Sequence, residues 1–354
     1  MTSTTDPGRG DAPTSAIECK ARVRAIYRDP EGAITTDFPV DKIRDAIARE
    51  GGALWIDVED PGSADNRGVE AMFRDVFGFH ALAIEDALQD THVPKVDNWE
   101  RYLYLVTCSI DFDPADDRLR LHELDIFLGA NYLLTYHNEP LEVIDRHRKA
   151  IERDPEHRLC HGAAYLLYHL LDAMVAQYLP AIEHLDEAID DAQDEVFDRP
   201  TPRTLQNIFT IKRAASKLHR MIGPMREVLN RLARDPYPVV DEARRVYFRD
   251  VYDGLVRIHD VSESLRDLIA GALDTYLSAS ANRTNDIMKT LTMVTVMFLP
   301  LSFLVGFFGM NFFGDTLMFI TPPLPKPLLF WASMALMGFA PWLTYRWVRR
   351  RDWS

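Results

Sequence analysis

The sequence predicts an α+β domain of the αβα type, followed by long helices and a C-terminal pair of membrane-spanning helices. Short β-type runs and short helices alternate as far as Glu139, and apolar residues at helical spacing dominate after Pro140. Two uncharged stretches, Thr290 to Gly314 and Pro327 to Tyr345, are each long enough to cross a bilayer as a helix.

Local patterns place the individual elements of the first domain. Runs of β-branched and aromatic residues bounded by turn residues predict strands, and 3.6-residue spacing predicts helices. The predicted strands are Ile17–Tyr27, Leu54–Val58, Tyr102–Asp111, Leu121–Leu128 and Tyr132–His137. The predicted short helices are Pro39–Glu50, Asp65–Phe77 and Ala81–Leu88.

Four longer helices are predicted after Pro140, namely Leu141–Arg153, Ala163–Phe197, Thr204–Ala233 and Val239 to about Met310. The last would measure on the order of 100 Å at a rise of 1.5 Å per residue. A helix of that length cannot bury an apolar face by itself. We therefore expect it to pack against copies of itself or against the preceding helices.

These changes in character divide the chain into segments. In chain order they are a disordered leader (1–16), a cytoplasmic α/β domain (17–139), a helical hairpin region (140–238), a cytoplasmic stalk helix (239–289), transmembrane helix 1 (290–311), an outer loop (312–326), transmembrane helix 2 (327–345) and a basic tail (346–354).

Composition excludes several function classes. The formal net charge is -14 and no basic stripe is present, which argues against nucleic-acid binding and favours attraction of cations. Three isolated cysteines without a CxxC pair predict no disulfide framework. A membrane-tethered enzyme is the alternative from another class, but the sequence contains no Walker A, GxSxG, HExxH or GxGxxG motif. We expect no enzyme activity and no cofactor.

Charges beside the two uncharged stretches predict the topology. Basic residues crowd the C-terminal end, where Arg349, Arg350 and Arg351 would form a basic ring, and Lys289 precedes the first stretch. The intervening loop carries only Asp315 and Lys326. The positive-inside tendency therefore predicts a multi-pass protein of the cell inner (plasma) membrane with both termini in the cytoplasm.

One face of the last long helix has the composition of a pore lining. At 100° per residue, small, hydroxyl and some apolar residues share a stripe opposite bulky apolar ones. The stripe comprises Met288, Leu291, Thr292, Thr295, Leu299, Ser302, Gly306 and Gly309, and the opposite side comprises Val294, Met297, Leu301, Leu304 and Phe308. Towards the N-terminus it continues near Asn285, Asp274, Asp267, Glu263 and Asp260.

Two interpretations of this stripe remain open. Small residues also serve simple helix packing, whereas acids along the extension favour a cation conduit. Since one helix cannot enclose a channel, the conduit requires a homo-oligomer around an axis. Met288, Leu291 and Leu299 would then form apolar rings able to gate by dewetting.

The tripeptide Gly309-Met310-Asn311, at the end of the first uncharged stretch, resembles the signature of the CorA family of divalent-cation transporters. Further segments similar to that family are Glu85-Asp86 with Pro94-Lys95-Val96, Tyr247-Phe248-Arg249-Asp250-Val251-Tyr252-Asp253 and Leu299-Pro300-Leu301-Ser302-Phe303. The resemblance implies a funnel-shaped homopentamer in the lipid bilayer that takes up Mg²⁺, with Co²⁺ or Ni²⁺ tolerated.

The resemblance also implies roles for single residues. Asn311 and the Gly309 carbonyl would hold a hydrated cation at the outer mouth, because Mg²⁺ sheds its water reluctantly. Ser302 stands where the family has threonine, and Asn285, Met288, Leu291 and Leu299 match further pore positions. Asp86 and Asp250 match an inter-subunit cation sensor, in which bound Mg²⁺ is also the regulatory ligand. Glu85 and Asp274 complete the predicted metal-binding residues.

Two departures from the family pattern leave the transported ion open. The loop Phe312-Phe313-Gly314-Asp315 lacks the usual pair of acids, and Phe308 replaces a common tyrosine. A zinc-transporting relative is therefore an alternative, although zinc would favour imidazole or thiolate ligands on its path. His157, Cys160 and His161 form a compact trio, but far in sequence from the pore, so a structural role is preferred for them. A membrane anchor that senses cations without conducting them is the remaining alternative.

Overall fold

The computed structural model describes residues 21–61, 66–89, 93–113, 118–309 and 326–350. Their contacts divide the chain into two compact units. The first contains the residues as far as Ala192 together with Leu205–Ala272, and the second contains Gln193–Thr204 and the residues from Leu273 onward. The predicted leader and nearly all of the predicted outer loop lie outside the described residues.

Seven described strands form one mixed sheet. They are β1 (Arg22–Arg28), β2 (Ile34–Thr35), β3 (Ala53–Glu59), β4 (Lys95–Asn98), β5 (Tyr102–Asp113), β6 (Arg118–Gly129) and β7 (Tyr132–His137). Their spatial order is β2-β1-β3-β7-β6-β5-β4. The β3–β7 pair is parallel and the other neighbouring pairs are antiparallel.

The described helices follow the predicted order. They are α1 (Ile43–Ala48), α2 (Arg67–Met72), α3 (Ala81–Leu88), α4 (Glu142–Arg153), α5 (Pro155–Leu159), α6 (Ala163–Val175), α7 (Tyr178–Asp198), α8 (Pro202–Arg234), α9 (Glu242–Gly309) and α10 (Lys326–Arg349). A short 3-10 turn precedes α1, and a π-helical turn, Phe73–Phe77, extends α2. The 68 residues of α9 run through Pro300 without interruption.

One face of the sheet carries the aromatic core of the first unit. Leu54, Ile56 and Val58 alternate along β3 and pack with residues of α1 to α3. The Phe79 ring stacks on Phe127 with 4.1 Å between centroids. Burial of each such side chain contributes about 1.5–3 kcal/mol relative to exposure, so this face holds the short helices against the sheet.

The opposite face of the sheet packs against α4, α6 and the start of α7. The Trp55 ring meets His147 of α4 edge-on with 5.2 Å between centroids, and the Tyr178 hydroxyl donates to the Cys108 carbonyl over 2.6 Å. Because both faces are covered, β5 is buried from Tyr102 to Ile110. The predicted mixed α/β sheet domain followed by long helices is confirmed.

The predicted single helix Ala163–Phe197 is wrong, because two helices, α6 and α7, divide there at Ala176 and Gln177. Pro180 has no N–H to donate to the Ala176 carbonyl, and its ring would clash with that carbonyl in a continuous helix. The short elements β2, β4 and α5 were not predicted. Asp154 caps α5 by accepting from the His157 N–H over 3.5 Å.

A buried charged network joins three strands. Asp57 on β3 lies opposite Arg24 on β1 and Thr135 on β7. Its carboxylate accepts hydrogen bonds from Arg24 Nη2 over 2.8 Å, Thr135 Oγ1 over 2.8 Å and His137 Nε2 over 3.1 Å. Although burial raises the pKa of Asp57, these donors, His137 first, lower it by more.

His137 is held in its charged form by the same network. Its Nδ1 lies 2.7 Å from the Glu139 carbonyl and its Nε2 faces Asp57, so both ring nitrogens meet acceptors. Burial lowers the pKa of His137, but Asp57 and the Glu139 carbonyl together raise it above the usual value. The folded state therefore binds a proton that the unfolded state releases near pH 6.5.

We predict that this histidine makes stability decline with alkaline pH. Its contribution is full below about pH 6.5, the unfolded pKa, and disappears as pH rises through the raised folded pKa, with a slope of at most about 1.4 kcal/mol per pH unit. His137→Gln should flatten the fall in unfolding temperature as pH rises above about 6.5. His157→Gln is the matched control, because that ring is 85% exposed. An equal slope in both variants would contradict the prediction.

Candidate functional site

The uncharged C-terminal part of α9 exposes its apolar side chains. Within the described residues, α9 is the helix that contains a span long and apolar enough to cross a membrane, with a mean hydropathy of 2.0 and none of that window buried. Phe298 is 57% exposed and Phe303 69% exposed. Water would strongly disfavour such a continuous apolar surface, so lipid or other chains must cover it.

The predicted pore stripe is open along its described length. Seven of its residues are exposed: Asn285, Met288, Leu291, Thr295, Leu299, Ser302 and Gly306. Leu299 is 66% exposed. Thr292, which was also assigned to the stripe, is half-buried. The stripe is thus a surface that the chain does not cover by itself.

Residues opposite the stripe are more covered. Met297, Leu301 and Leu304, which the sequence places on the other side, are half-buried. Val294 differs, because it is 43% exposed. The helix therefore has a more covered bulky face and an open face of small, polar and apolar residues.

The Thr295 hydroxyl of the stripe is compatible with an apolar surrounding. Thr295 Oγ1 donates to the Leu291 carbonyl over 2.8 Å, which satisfies the hydroxyl within its own helix. A cation or its water could still approach the remaining lone pairs of the oxygen. Gly306 has open space where a side chain would stand.

The predicted outer mouth is only partly described. Gly309 is the last residue of α9. Met310 and Asn311 lie outside the described residues, and so does the loop with Asp315. Their roles stay predictions.

The predicted sensor residue Asp86 is engaged with a lysine. Asp86 lies on α3 and is hydrogen-bonded to Lys95 Nζ of β4, which also lies 3.3 Å from Asp97 Oδ2. Partial burial lowers the pKa of the Lys95 ammonium, and the two carboxylates raise it by more. A cation that binds Asp86 must therefore compete with this ammonium. Neighbouring Glu85 is exposed.

Asp250, the other predicted sensor residue, has an acidic neighbour that sequence reasoning missed. It is exposed on α9, and its charge raises the pKa of Asp172 on α6, which partial burial already raises. Burial and both carboxylates also raise the pKa of Tyr168. Two acids in mutual repulsion form a surface that a divalent cation would stabilise. Because Asp172 and Asp250 are 78 positions apart, only the fold reveals their proximity.

The remaining predicted residues are spread over several elements. Asp274 is exposed on α9, Arg349 ends α10 and Arg350 follows it, while Arg351 lies outside the described residues. The contacts of the histidine and cysteine trio are local. Cys160 Sγ donates to the His157 carbonyl over 3.3 Å, and the His161 ring contacts Tyr165. This arrangement fits the structural role preferred for the trio.

Comparison with known proteins identifies similar sequences over most of the chain. A family model described as CorA-like Mg²⁺ transporter protein matches residues 50–350. The cobalt/magnesium transport protein CorA of Thermotoga maritima is 38% identical over 236 residues, covering 67% of each chain. The zinc transport protein ZntB of Yersinia pseudotuberculosis is 26% identical over 186 residues, or 51% of this chain and 56% of that protein.

The fold also matches a solved structure. The CorA magnesium transporter of Methanocaldococcus jannaschii superposes with a TM-score of 0.75, covering 94% of this chain and 99% of that one, at 24% identity. At that identity the match establishes the fold, including a sheet domain followed by long helices.

Proposed function

The chain belongs to the CorA-like Mg²⁺ transporter family, and on that premise we propose that it mediates Mg²⁺ uptake through a pore made by several copies of α9. Members of this family are membrane transporters of divalent cations rather than enzymes. Co²⁺ and Ni²⁺ are further substrates of the same route.

One observation carries the pore proposal. The uncharged part of α9 leaves uncovered a stripe with small and hydroxyl residues while bulky residues opposite are half-buried. Copies arranged around an axis, five in the proposal, would turn the stripes inward and enclose a path. Met288, Leu291 and Leu299 would then form apolar constrictions, and Thr295 and Ser302 would offer oxygens between them.

At the outer end, Gly309, Met310 and Asn311 would form the mouth. Neutral carbonyl and amide oxygens suit an ion that keeps its waters, because they hydrogen-bond the hydration shell instead of replacing it. An inside-negative potential drives entry without ATP. It supplies about 2.3 kcal/mol per charge per 100 mV, and thus roughly 4.6 kcal/mol for a divalent ion.

On the cytoplasmic side, we assign gating to carboxylates that face each other across subunits. Asp86 with Glu85 would supply one half of each sensor, and Asp250 would supply the other half. Asp172 next to Asp250 adds negative charge to that half. Bound Mg²⁺ would neutralise the acids and hold the pore closed, whereas repulsion between the empty acids would loosen it.

The membrane arrangement completes the proposal. The uncharged runs in α9 and α10 would span the inner membrane, with both termini and the sheet domain in the cytoplasm. The basic ring Arg349, Arg350 and Arg351 would then lie at the cytoplasmic surface, where anionic lipid attracts it.

Zinc transport is the second candidate, favoured by the similarity to ZntB. Competition in reconstituted vesicles distinguishes the two ions. We predict that an excess of Mg²⁺ suppresses the entry of a trace divalent ion more effectively than Zn²⁺ at the same concentration as the Mg²⁺. The reason is that the mouth offers oxygen ligands. Stronger suppression by Zn²⁺ would assign the chain to zinc. If neither ion enters under a gradient, the result would favour a membrane anchor that senses cations without conducting them.

The mouth assignment predicts that Asn311→Ala abolishes Mg²⁺ uptake into vesicles, since the amide that holds the hydrated ion is lost. Oligomer size in detergent should remain unchanged. Asn207→Ala on the exposed surface of α8 is the matched control and should transport normally. Normal flux through Asn311→Ala would defeat the mouth assignment.

The sensor assignment predicts opposite effects for two substitutions. Asp250→Lys should abolish the protection from protease that saturating Mg²⁺ gives, because a lysine replaces a metal ligand. Lys95→Gln should lower the Mg²⁺ concentration for half-protection about fivefold, since it removes a competing charge worth about 1 kcal/mol in water.

Lys149→Gln, an exposed lysine of α4, controls for the loss of positive charge alone. The sensor assignment is refuted if Asp250→Lys keeps full protection, and the role of Lys95 is refuted if its variant behaves as Lys149→Gln.

A further inference from the structure

Two histidines and a glutamate converge on the packed surface between α8 and α9. Helical periodicity places Glu263 near the continuation of the pore stripe, but the fold brings its carboxylate to His219 of α8 instead. One nitrogen of His219, one nitrogen of His259 and one carboxylate oxygen of Glu263 all lie within 4.8 Å of one another. His219 belongs to α8, and His259 and Glu263 lie one turn apart on α9. All three residues lie within the first compact unit.

The tautomer of His219 is set by its partners. Its Nδ1 lies 2.8 Å from the Oγ of Ser262, and its Nε2 lies 3.3 Å from Nη1 of Arg266. A guanidinium only donates, so Nε2 must carry the lone pair and Nδ1 must carry the hydrogen. Ser262 is 2% exposed and holds that Nδ1–H. In metal-binding histidines one nitrogen is likewise fixed by a hydrogen bond and the other ligates, but here Nε2 also accepts from Arg266.

His259 contributes a nitrogen whose hydrogen-bonding capacity is unused. Its Nδ1 is buried and makes no hydrogen bond within the described part of the chain. The Asp260 carboxylate is 3.7 Å away, beyond hydrogen-bonding distance. Buried polar atoms without a partner are uncommon in folded proteins, and a bound ion or water is one way to satisfy them.

We propose that His219, His259 and Glu263 bind a transition-metal ion, with Zn²⁺ as the natural occupant, and that the ion links α8 to α9 within one chain. Two imidazoles and one carboxylate are a common ligand set for zinc, which completes a tetrahedron with water. The same ligands disfavour Mg²⁺, because it prefers oxygen and near-ideal octahedral geometry. The site is thus chemically separate from the proposed Mg²⁺ route.

Binding requires two small rearrangements that exposed side chains can make. Zinc bonds of about 2.0–2.2 Å need the ligand atoms somewhat closer together than 4.8 Å, and Glu263 is exposed and able to rotate inward. Arg266, also exposed, must release Nε2 of His219 to solvent. Burial, Arg266 and His259 lower the pKa of His219, so its imidazole is neutral and able to ligate at neutral pH.

The test uses the full-length protein in detergent, stripped of metal with a chelator, and Co²⁺ as a coloured substitute for Zn²⁺. Four-coordinate Co²⁺ absorbs visible light strongly, whereas octahedral Co²⁺ held through water absorbs weakly, so pore-bound ions do not interfere. We expect one strongly absorbing Co²⁺ per chain, retained in a large excess of Mg²⁺ and displaced by Zn²⁺. Absence of this spectrum would overturn the proposal.

Substitutions assign the signal to the cluster. His219→Gln and His259→Gln should abolish the spectrum, and Glu263→Gln should weaken Co²⁺ binding. His184→Gln is the matched control, since that half-buried histidine packs on Phe112 outside the cluster. Each variant is accepted only if its metal-free unfolding temperature matches the parent chain. Retention of the spectrum in both histidine variants would overturn the assignment.

Two neighbours keep the proposal falsifiable even if a ligand variant fails to fold. Arg266→Gln should tighten Zn²⁺ binding, because the donor that occupies His219 is removed. Ser262→Ala should weaken it about 10- to 100-fold, which is the usual effect of losing a partner that orients a ligating histidine. Unchanged affinity in both would contradict the proposed geometry. These readouts measure binding alone, so their failure leaves the transport proposal standing.

Discussion

The constraint on which the structure depends is the uncovered apolar surface of α9. A helix with a window of mean hydropathy 2.0, none of it buried, cannot persist in water. Lipid can cover bulky side chains such as Phe303, whereas the oxygens of Thr295 and Ser302 keep lone pairs that an ion or its water could use. In the proposed oligomer, neighbouring copies of the same helix would cover part of this surface and leave the stripe lining a path for the ion.

The sheet domain is built differently, because its stability comes from burial on both faces. The aromatic core around Phe79 and Phe127 covers one face, and α4 and α6 cover the other. Within the second layer, Asp57 joins Arg24 and His137 across three strands. Such a network is costly to break, since removal of one partner leaves an unpaired buried charge. A change of strand register near the sheet centre would break the hydrogen bonds of Asp57.

The sequence predicted those elements whose signals are local and long. Long apolar runs identified the buried strands β3, β5 and β7 and the long helix α9. Such runs are too long and too apolar to be turns. The strands β2 and β4 are too short, and Lys95–Asn98 is too polar, to be recognised without the neighbours that complete the sheet. The break before Tyr178 was not predicted, although Pro180 could have indicated it. A proline disrupts the helix at the carbonyl four residues before it.

The candidate site was predictable only in part, for the same reason. Helical periodicity alone groups the residues of the stripe on one face of α9, so the sequence was sufficient to predict which residues the stripe contains. The pairing of Asp86 with Lys95, the approach of Asp172 to Asp250 and the convergence of His219 with His259 are tertiary. The spacing of residues along the sequence does not predict these contacts, because the partners lie on different elements.

The most direct test of the account is the water accessibility of α9 in the reconstituted protein. Single cysteines at Ser302 and Leu304 can be compared in a background from which Cys19, Cys108 and Cys160 are removed, using a charged thiol reagent that does not enter lipid. If the stripe lines an aqueous path, the cysteine at position 302 should be labelled rapidly, Mg²⁺ or Co²⁺ should slow that labelling, and the cysteine at position 304 should be labelled little. Equal labelling, or faster labelling at position 304, would contradict an aqueous path along the stripe.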